Sequence, residues 1–163
     1  MEIIRYREGL DEAFERLNRE WIGRWFRVEE GDERTFKHLK DYVLGGGGEI
    51  FFAMENGEAV GCCALVHHDR ENELGEWELA KMAVTEKAQG KGVGNRLMET
   101  LLEEADGRGI EKIYLEGNTR LAASIHLYRK YGFREVPLKG QRYERADVLM
   151  VRVTERNGRK GQE

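Results

Sequence analysis

Cysteine is nearly missing from this chain. Its 163 residues include two, and they are the adjacent pair Cys62 and Cys63. Neighbours on a strand point to opposite faces, so a bond between them is disfavoured. A disulfide framework is excluded, and a reducing, cytoplasmic setting is expected. Proline occurs once, at Pro137, leading into a polar loop. No apolar run approaches the roughly 20 residues that a bilayer-spanning helix needs, so no membrane role is expected. No secretory leader is legible after Met1. A surplus of positive charge is lacking too: the formal net charge is −4 with 36% charged residues. That balance leaves no electrostatic footprint for nucleic acid. Internal repeats are absent. What remains is a chain of one-domain length, 40% hydrophobic, with enough apolar content for a packed core.

The stretch Glu76 to Gly94 is the most informative. It reads as a strand ending in Leu79, Met82, Ala83 and Val84, then a turn, then the glycine-rich run Gln89-Gly90-Lys91-Gly92-Val93-Gly94-Asn95. Behind the loop, Val93, Leu97, Leu101, Leu102 and Ala105 form the apolar stripe of an amphipathic helix. Glycines at a helix start permit left-handed backbone and let a ligand approach the free N–H groups of the first turn. Those donors and the helix dipole favour a phosphate, and Lys91 adds positive charge. A tight strand-to-helix turn would also ask for glycine. Neither common nucleotide fingerprint fits. A P-loop would need Ser or Thr after Lys91, where Gly92 stands, and the dinucleotide pattern counted from Gly90 would need glycine at Asn95.

The rest of the chain alternates helical and strand patterns. Residues 2–6 read as a strand, Leu10 to Phe26 as a helix and Glu33 to Leu44 as a second helix, ended by Gly45 to Gly48. Residues 49–54 and 59–66 flank Asn56-Gly57, a hairpin signal. Glu111 to Glu116 reads as a strand, followed by a helix capped by Asn118-Thr119 and stopped by Gly132. Strands at Phe133 to Val136 and Ala146 to Val153 close the domain. The expectation is an α/β (α+β) fold with a mixed, mainly antiparallel sheet and one parallel βαβ unit spanning the glycine loop. The domain covers 1–154, with a charged flexible tail at 155–163. His67, His68 and Asp69 have metal-ligand chemistry, but adjacent strand residues diverge, so no metal site is expected.

The loop from Gln89 to Gly94 resembles the pyrophosphate loop of the GNAT family of N-acetyltransferases. A second block, Ile125-His126-Leu127-Tyr128-Arg129-Lys130-Tyr131-Gly132-Phe133, resembles that family's helix with a tyrosine followed by Gly-Phe. Glu116–Tyr128 and Tyr143-Glu144-Arg145 resemble a bacterial subgroup whose acceptors are poorly defined. The resemblance implies an acyl-CoA N-acyltransferase domain, helices on both faces of the sheet, and a cofactor entering between two strands that splay apart. It implies transfer of an acetyl group from acetyl-CoA, the co-substrate, to an amine acceptor, without a metal. It is compatible with a homodimer.

On that reading Met82, Ala83 and Val84 offer backbone groups to the pantetheine arm, and Gln89, Gly90, Lys91, Gly92, Val93, Gly94 and Asn95 surround the pyrophosphate. Tyr128 is the acid that protonates the leaving thiolate, or else an aromatic packed on the core. Glu78 is the base, with Glu76 second, or else a solvated strand-edge carboxylate. The sequence departs from the family at Leu121, where many members carry asparagine; Asn118 and Ser124 are the candidate replacements. Trp21, Trp25 and Phe26 either pack a helix end or wall the acceptor site. With no basic patch beyond Lys91 near the loop, a small or peptide-type amine is expected rather than a large anionic acceptor. A non-catalytic acyl-CoA-binding module and a mononucleotide-binding domain are the alternatives from other classes.

Overall fold

The computed structural model describes residues 1–68 and 74–154. In chain order the elements are β1 (Glu2–Arg5), α1 (Asp11–Trp25), α2 (Glu30–Lys37), β2 (Glu49–Glu55), β3 (Glu58–His67), β4 (Trp77–Val84), α3 (Val93–Gly107), β5 (Lys112–Gly117), α4 (Ala122–Lys130), β6 (Arg134–Val136) and β7 (Val148–Val153). One seven-stranded sheet runs in the order β1-β2-β3-β4-β5-β7-β6. Every pairing is antiparallel except β4 with β5. The mixed sheet expected from the alternating patterns is the one observed. The tail and Asp69 lie outside the described residues.

Strand alternation sends side chains to two faces, and each face has its own core. Phe14 and Leu17 of α1 and Phe36 of α2 pack with Ile50, Phe52, Cys62 and Ala64. Val93, Leu97 and Leu101 of α3 and Ile125 of α4 pack with Phe51, Cys63, Leu65 and Ile113 on the other. Cys62 and Cys63 are therefore free thiols in opposite cores. Burial pushes the Cys62 thiol up to about 12, so it stays protonated and inert at neutral pH.

The Asn56-Gly57 turn has both residues at positive φ, 51° and 79°, joining β2 to β3 as the dipeptide predicts. Two expectations are corrected. The second helix starts earlier than Glu33, because Asp32 accepts the Glu29 N–H at 2.9 Å and stabilises a start at Glu30. It also ends at Lys37, and Lys40–Leu44 forms a separate π-helical turn. Phe36, Leu39 and Val43 stay buried on one side throughout, so their spacing mimicked one continuous helix. The fourth helix starts at Ala122 after Leu121, with no side-chain cap. Asn118 and Thr119 instead tie the preceding turn to the loop before β7, through Arg145 O at 2.7 Å and Asp147 at 2.7 Å.

The gap between β4 and β5 positions everything that follows. The two strands share a single registered pair, Glu78 with Tyr114. On the other side of β4, the register with β3 passes from Cys62–Ala83 to Ala64–Ala80, so Lys81 and Met82 together stand opposite Cys63. That is a β-bulge, and its first residue, Lys81, has φ +56°, a left-handed conformation disfavoured for a side chain with a Cβ. Beyond Glu78 no further residue of β4 is in register with β5.

Candidate active site

Strand β4 runs from the gap into a short turn of 3-10 helix, Glu86–Ala88, and then into the glycine loop. Gly90 and Gly92 take φ +78° and +81°, and Gly92 is the residue preceding α3. A Cβ at either would meet nothing within 4 Å, so glycine is needed there for its backbone and leaves the approach open. The first N–H groups of α3 face that approach. A groove of about 340 Å³ runs along this edge, lined by Met82, Ala83, Val84, Gln89, Gly90, Gly92, Val93, Gly94, Asn95, Ser124 and Tyr128. Lys91 is exposed and does not line it. Asn95 is also tied to α4 and the residue after it, through Lys130 at 2.7 Å and Tyr131 at 3.0 Å.

A second, smaller cavity of about 110 Å³ occupies the gap itself, between Glu78–Met82 of β4 and Leu115–Gly117 of β5. Trp21 and Phe26 wall it, whereas Trp25 is exposed and does not line it. Glu78 and Asn118 line this cavity, while Glu76 lies outside it, bonded to His67 at 3.0 Å. Groove and cavity meet at four side chains common to both: Trp21, Met82, Ser124 and Tyr128.

Tyr128 sits one helical turn before Gly132 and packs edge-on against Phe133, ring centroids 6.1 Å apart. Burial pushes its phenol up to about 12, although a hydrogen bond with Ser124 works against the shift. The hydroxyl is thus protonated at neutral pH and able to donate.

Two carboxylates reach the cavity from neighbouring strands. Glu78 is 6% exposed and bonds His68 Nε2 at 2.9 Å. Glu116 was not singled out by the sequence. Its Oε1 accepts the backbone N–H groups of Arg142 at 2.9 Å and Tyr143 at 3.3 Å, and its Oε2 is buried with no partner among the described residues. Burial and the nearby Glu78 charge hold its carboxyl above the usual range, against the pull of those two amides.

The loop before β7 closes one wall. Its Arg145 forks onto Asp32 at 2.7 and 2.8 Å, and Lys81 reaches the same carboxylate at 2.7 Å and the Tyr143 hydroxyl at 3.0 Å. Burial opposes ionisation of Asp32, but Arg145 and Lys81 outweigh it and hold the carboxyl at about 2. The same knot fixes Lys81 in its left-handed conformation, and so fixes the bulge. Two basic residues, Lys81 and Arg145, line the cavity, each paired with Asp32 rather than free for an anionic acceptor. They come from segments up to 116 positions apart from their partners, which no local pattern reveals.

Known proteins share this fold. The profile of the acetyltransferase (GNAT) family matches residues 10–133. An IAA acetyltransferase of Azospirillum brasilense is 36% identical over 100 residues, 60% of this chain and 63% of that one. The N-alpha-acetyltransferase RimI of Mycobacterium tuberculosis is 40% identical over 80 residues, covering 47% and 48%. The matched segments thus span about half to two thirds of these relatives. Among solved structures, a GNAT-family acetyltransferase from Staphylococcus aureus superposes with a TM-score of 0.80 at 20% identity, over 93% of this chain and 98% of that one. An N-acetyltransferase from Thermoplasma acidophilum, solved with coenzyme A, superposes with a TM-score of 0.69 at 15% identity, over 94% and 100%. These likenesses show the fold, and the profile match across most of the chain shows the lineage: this protein belongs to the acetyltransferase (GNAT) family.

Proposed function

We propose that the protein transfers an acetyl group from acetyl-CoA to a primary amine, with the thioester at the junction of groove and cavity. The observation carrying this reading is that junction: an anion-favouring helix start leads along β4 to a protonated tyrosine, and two carboxylates wait on the far side. The residues present fit the co-substrate. Gly90 and Gly92 leave room for a pyrophosphate against the free N–H groups of α3. Met82, Ala83 and Val84 lie past the last β4–β5 pair, and their backbone groups can meet the pantetheine arm. Lys91 adds charge from the surface, Gln89 and Asn95 flank the loop, and Asn118 and Ser124 stand where polar contacts to the arm are needed.

Acetyl-CoA supplies an acyl group activated as a thioester. The chain's own residues manage the protons. An alkylammonium with a pKa of about 10 must lose a proton before attack, and Glu78 accepts it, directly or through water. As the amine nitrogen bonds to the carbonyl carbon, the carbon–sulfur bond breaks and Tyr128 gives its proton to the departing sulfur; the second proton that the nitrogen sheds on becoming an amide restores the phenol. The Trp21 and Phe26 walls exclude water and strengthen these electrostatic effects. A second assignment of the base has a specific observation behind it. Glu116 has an unpartnered oxygen and a raised proton affinity in the same cavity, and a base works best when its pKa approaches the operating pH.

The relatives' names include acceptors as different as IAA and a ribosomal-protein alanine, so the acceptor must be read from the cavity. Its volume and aromatic wall suit a small amine or a peptide-type amine with an apolar neighbour. Free-thiol release from acetyl-CoA, measured with a panel of amino acids, polyamines, aminoglycosides and short peptides, tests the reading. Amine-dependent release with a product heavier by one acetyl group is expected. Binding of acetyl-CoA without turnover on any amine would make the protein an acyl-CoA-binding module instead.

A further inference from the structure

His68, immediately after β3, is 9% exposed and bonded on both ring nitrogens. Nε2 lies 2.9 Å from Glu78 Oε1, and Nδ1 lies 3.2 Å from Arg142 Nη2. A guanidinium has donors and no acceptor. Nδ1 must therefore accept from Arg142, which places the imidazole proton on Nε2, where it donates to Glu78. The ring is held by its neighbours as well as by its hydrogen bonds. Tyr114 of β5 stacks on it at 6.0 Å and 30°, and Tyr42 of the π-helical turn meets it edge-on at 6.4 Å. Arg142 also donates to the Tyr42 hydroxyl at 3.3 Å.

We propose that Arg142 is a positioning residue for the carboxylates of the cavity: through its side chain it fixes the tautomer of His68 that orients Glu78, and through its main chain it holds Glu116. The proposal rests on the reading of these carboxylates as proton acceptors. It follows from one residue's geometry, because the Arg142 backbone N–H bonds Glu116 Oε1 while the Arg142 guanidinium bonds His68. Both candidate bases are thereby tied to the loop between β6 and β7.

A permanent cation donating to Nδ1 leaves Nε2–H as the ring's donor and points it at Glu78. The groups facing the ring are Glu78 from β4, Tyr114 from β5, Tyr42 from the π-helical turn and Arg142 from the loop; of the two carrying formal charge, Glu78 already accepts from Nε2 and Arg142 occupies Nδ1. Without the guanidinium, Nδ1 has no donor to fix the tautomer, and in the Nδ1–H form the ring no longer donates to Glu78, which loses the contact that orients it.

The test combines ¹⁵N spectra of histidine-labelled protein with kcat/KM of parent, Arg142→Met and Arg142→Lys. In the parent, His68 is expected as the Nε2–H tautomer. In Arg142→Met that tautomer is no longer fixed, and kcat/KM falls about tenfold. Arg142→Lys retains a cationic donor and is expected to restore most of the parent rate and the parent tautomer, which a purely structural role would not require. An Nδ1–H tautomer in the parent, or the same His68 tautomer and rate in parent and Arg142→Met, overturns the proposal. Absence of turnover in the parent with every amine would defeat the acetyltransfer reading, and the spectra alone would then decide the clamp.

Discussion

Replacing Tyr128 by phenylalanine removes one hydroxyl and keeps the ring. The aromatic contact with Phe133 survives, and the stability cost is the lost bond to Ser124, about 1 kcal/mol. The effect on catalysis should be larger. With its phenol held at about 12, Tyr128 is protonated across the working range, and in the proposed mechanism it delivers a proton to the sulfur as it leaves. Losing a placed general acid costs about 10²-fold in turnover, equivalent to about 2.7 kcal/mol of barrier. Acetyl-CoA affinity should barely change, because the hydroxyl acts on the departing sulfur rather than on the phosphates. The assay is kcat for thiol release at saturating acetyl-CoA and amine, with chemistry limiting, beside the dissociation constant for CoA and the melting temperature. A kcat within twofold of the parent, with the fold intact, would remove Tyr128 from the mechanism and leave it a core aromatic.

Other perturbations separate the remaining parts of the site. Gly92→Val forces a branched side chain into φ +81°, costing about 1–2 kcal/mol; it should also abolish the gain of about 2.7 kcal/mol that a ligand at 100 times its dissociation constant gives the parent, and an undiminished shift with CoA would show that the loop is not the anion site. Asp32→Ala leaves Lys81 and Arg145 buried without their shared carboxylate, so chemical denaturation should report a loss of about 3–5 kcal/mol; a loss under 1 kcal/mol would show that the knot does not secure the bulge. The parent should lose the stability due to Asp32 as pH falls. Its folded-state pKa of about 2 lies below the usual carboxylate value, so that contribution is complete above pH 4, declines toward pH 2 and amounts to about 2 kcal/mol; melting curves across that window should be flatter for Asp32→Asn. Glu78→Gln and Glu116→Gln should differ in their pH profiles: the variant that lacks the base loses most rate at neutral pH and recovers partly at high pH, and equal profiles for both would leave water as the acceptor.

Local chemistry made much of this molecule legible in advance. The Asn56-Gly57 turn, the glycines before α3 and the apolar stripe from Val93 to Ala105 act over a few residues, and a sequence displays them directly. The two-block resemblance brought Tyr128 beside the groove. What stayed hidden depends on contacts between distant segments. The bulge at Lys81 is stabilised by Asp32, 49 positions earlier, and the His68–Arg142 bond spans 74 positions. Glu116 looked like the ordinary end of a strand, because its unpartnered oxygen exists only once the loop before β7 folds over it. The break between α2 and the π-helical turn escaped for the opposite reason: Phe36, Leu39 and Val43 stay on one buried face across it, so periodicity carried no mark of the interruption.

In the proposed function, the anion site at the start of α3 and the cavity beyond the β4 bulge form one acetyl-CoA site that meets at Tyr128. A crystal structure of the protein with coenzyme A tests it most directly. The pyrophosphate is expected against the N–H groups of the Gln89–Asn95 loop, the pantetheine arm in the gap between β4 and β5, and the sulfur within about 3–4 Å of the Tyr128 hydroxyl, a distance at which a proton can pass. Coenzyme A bound with its arm outside that gap, or its sulfur remote from Tyr128, would contradict it.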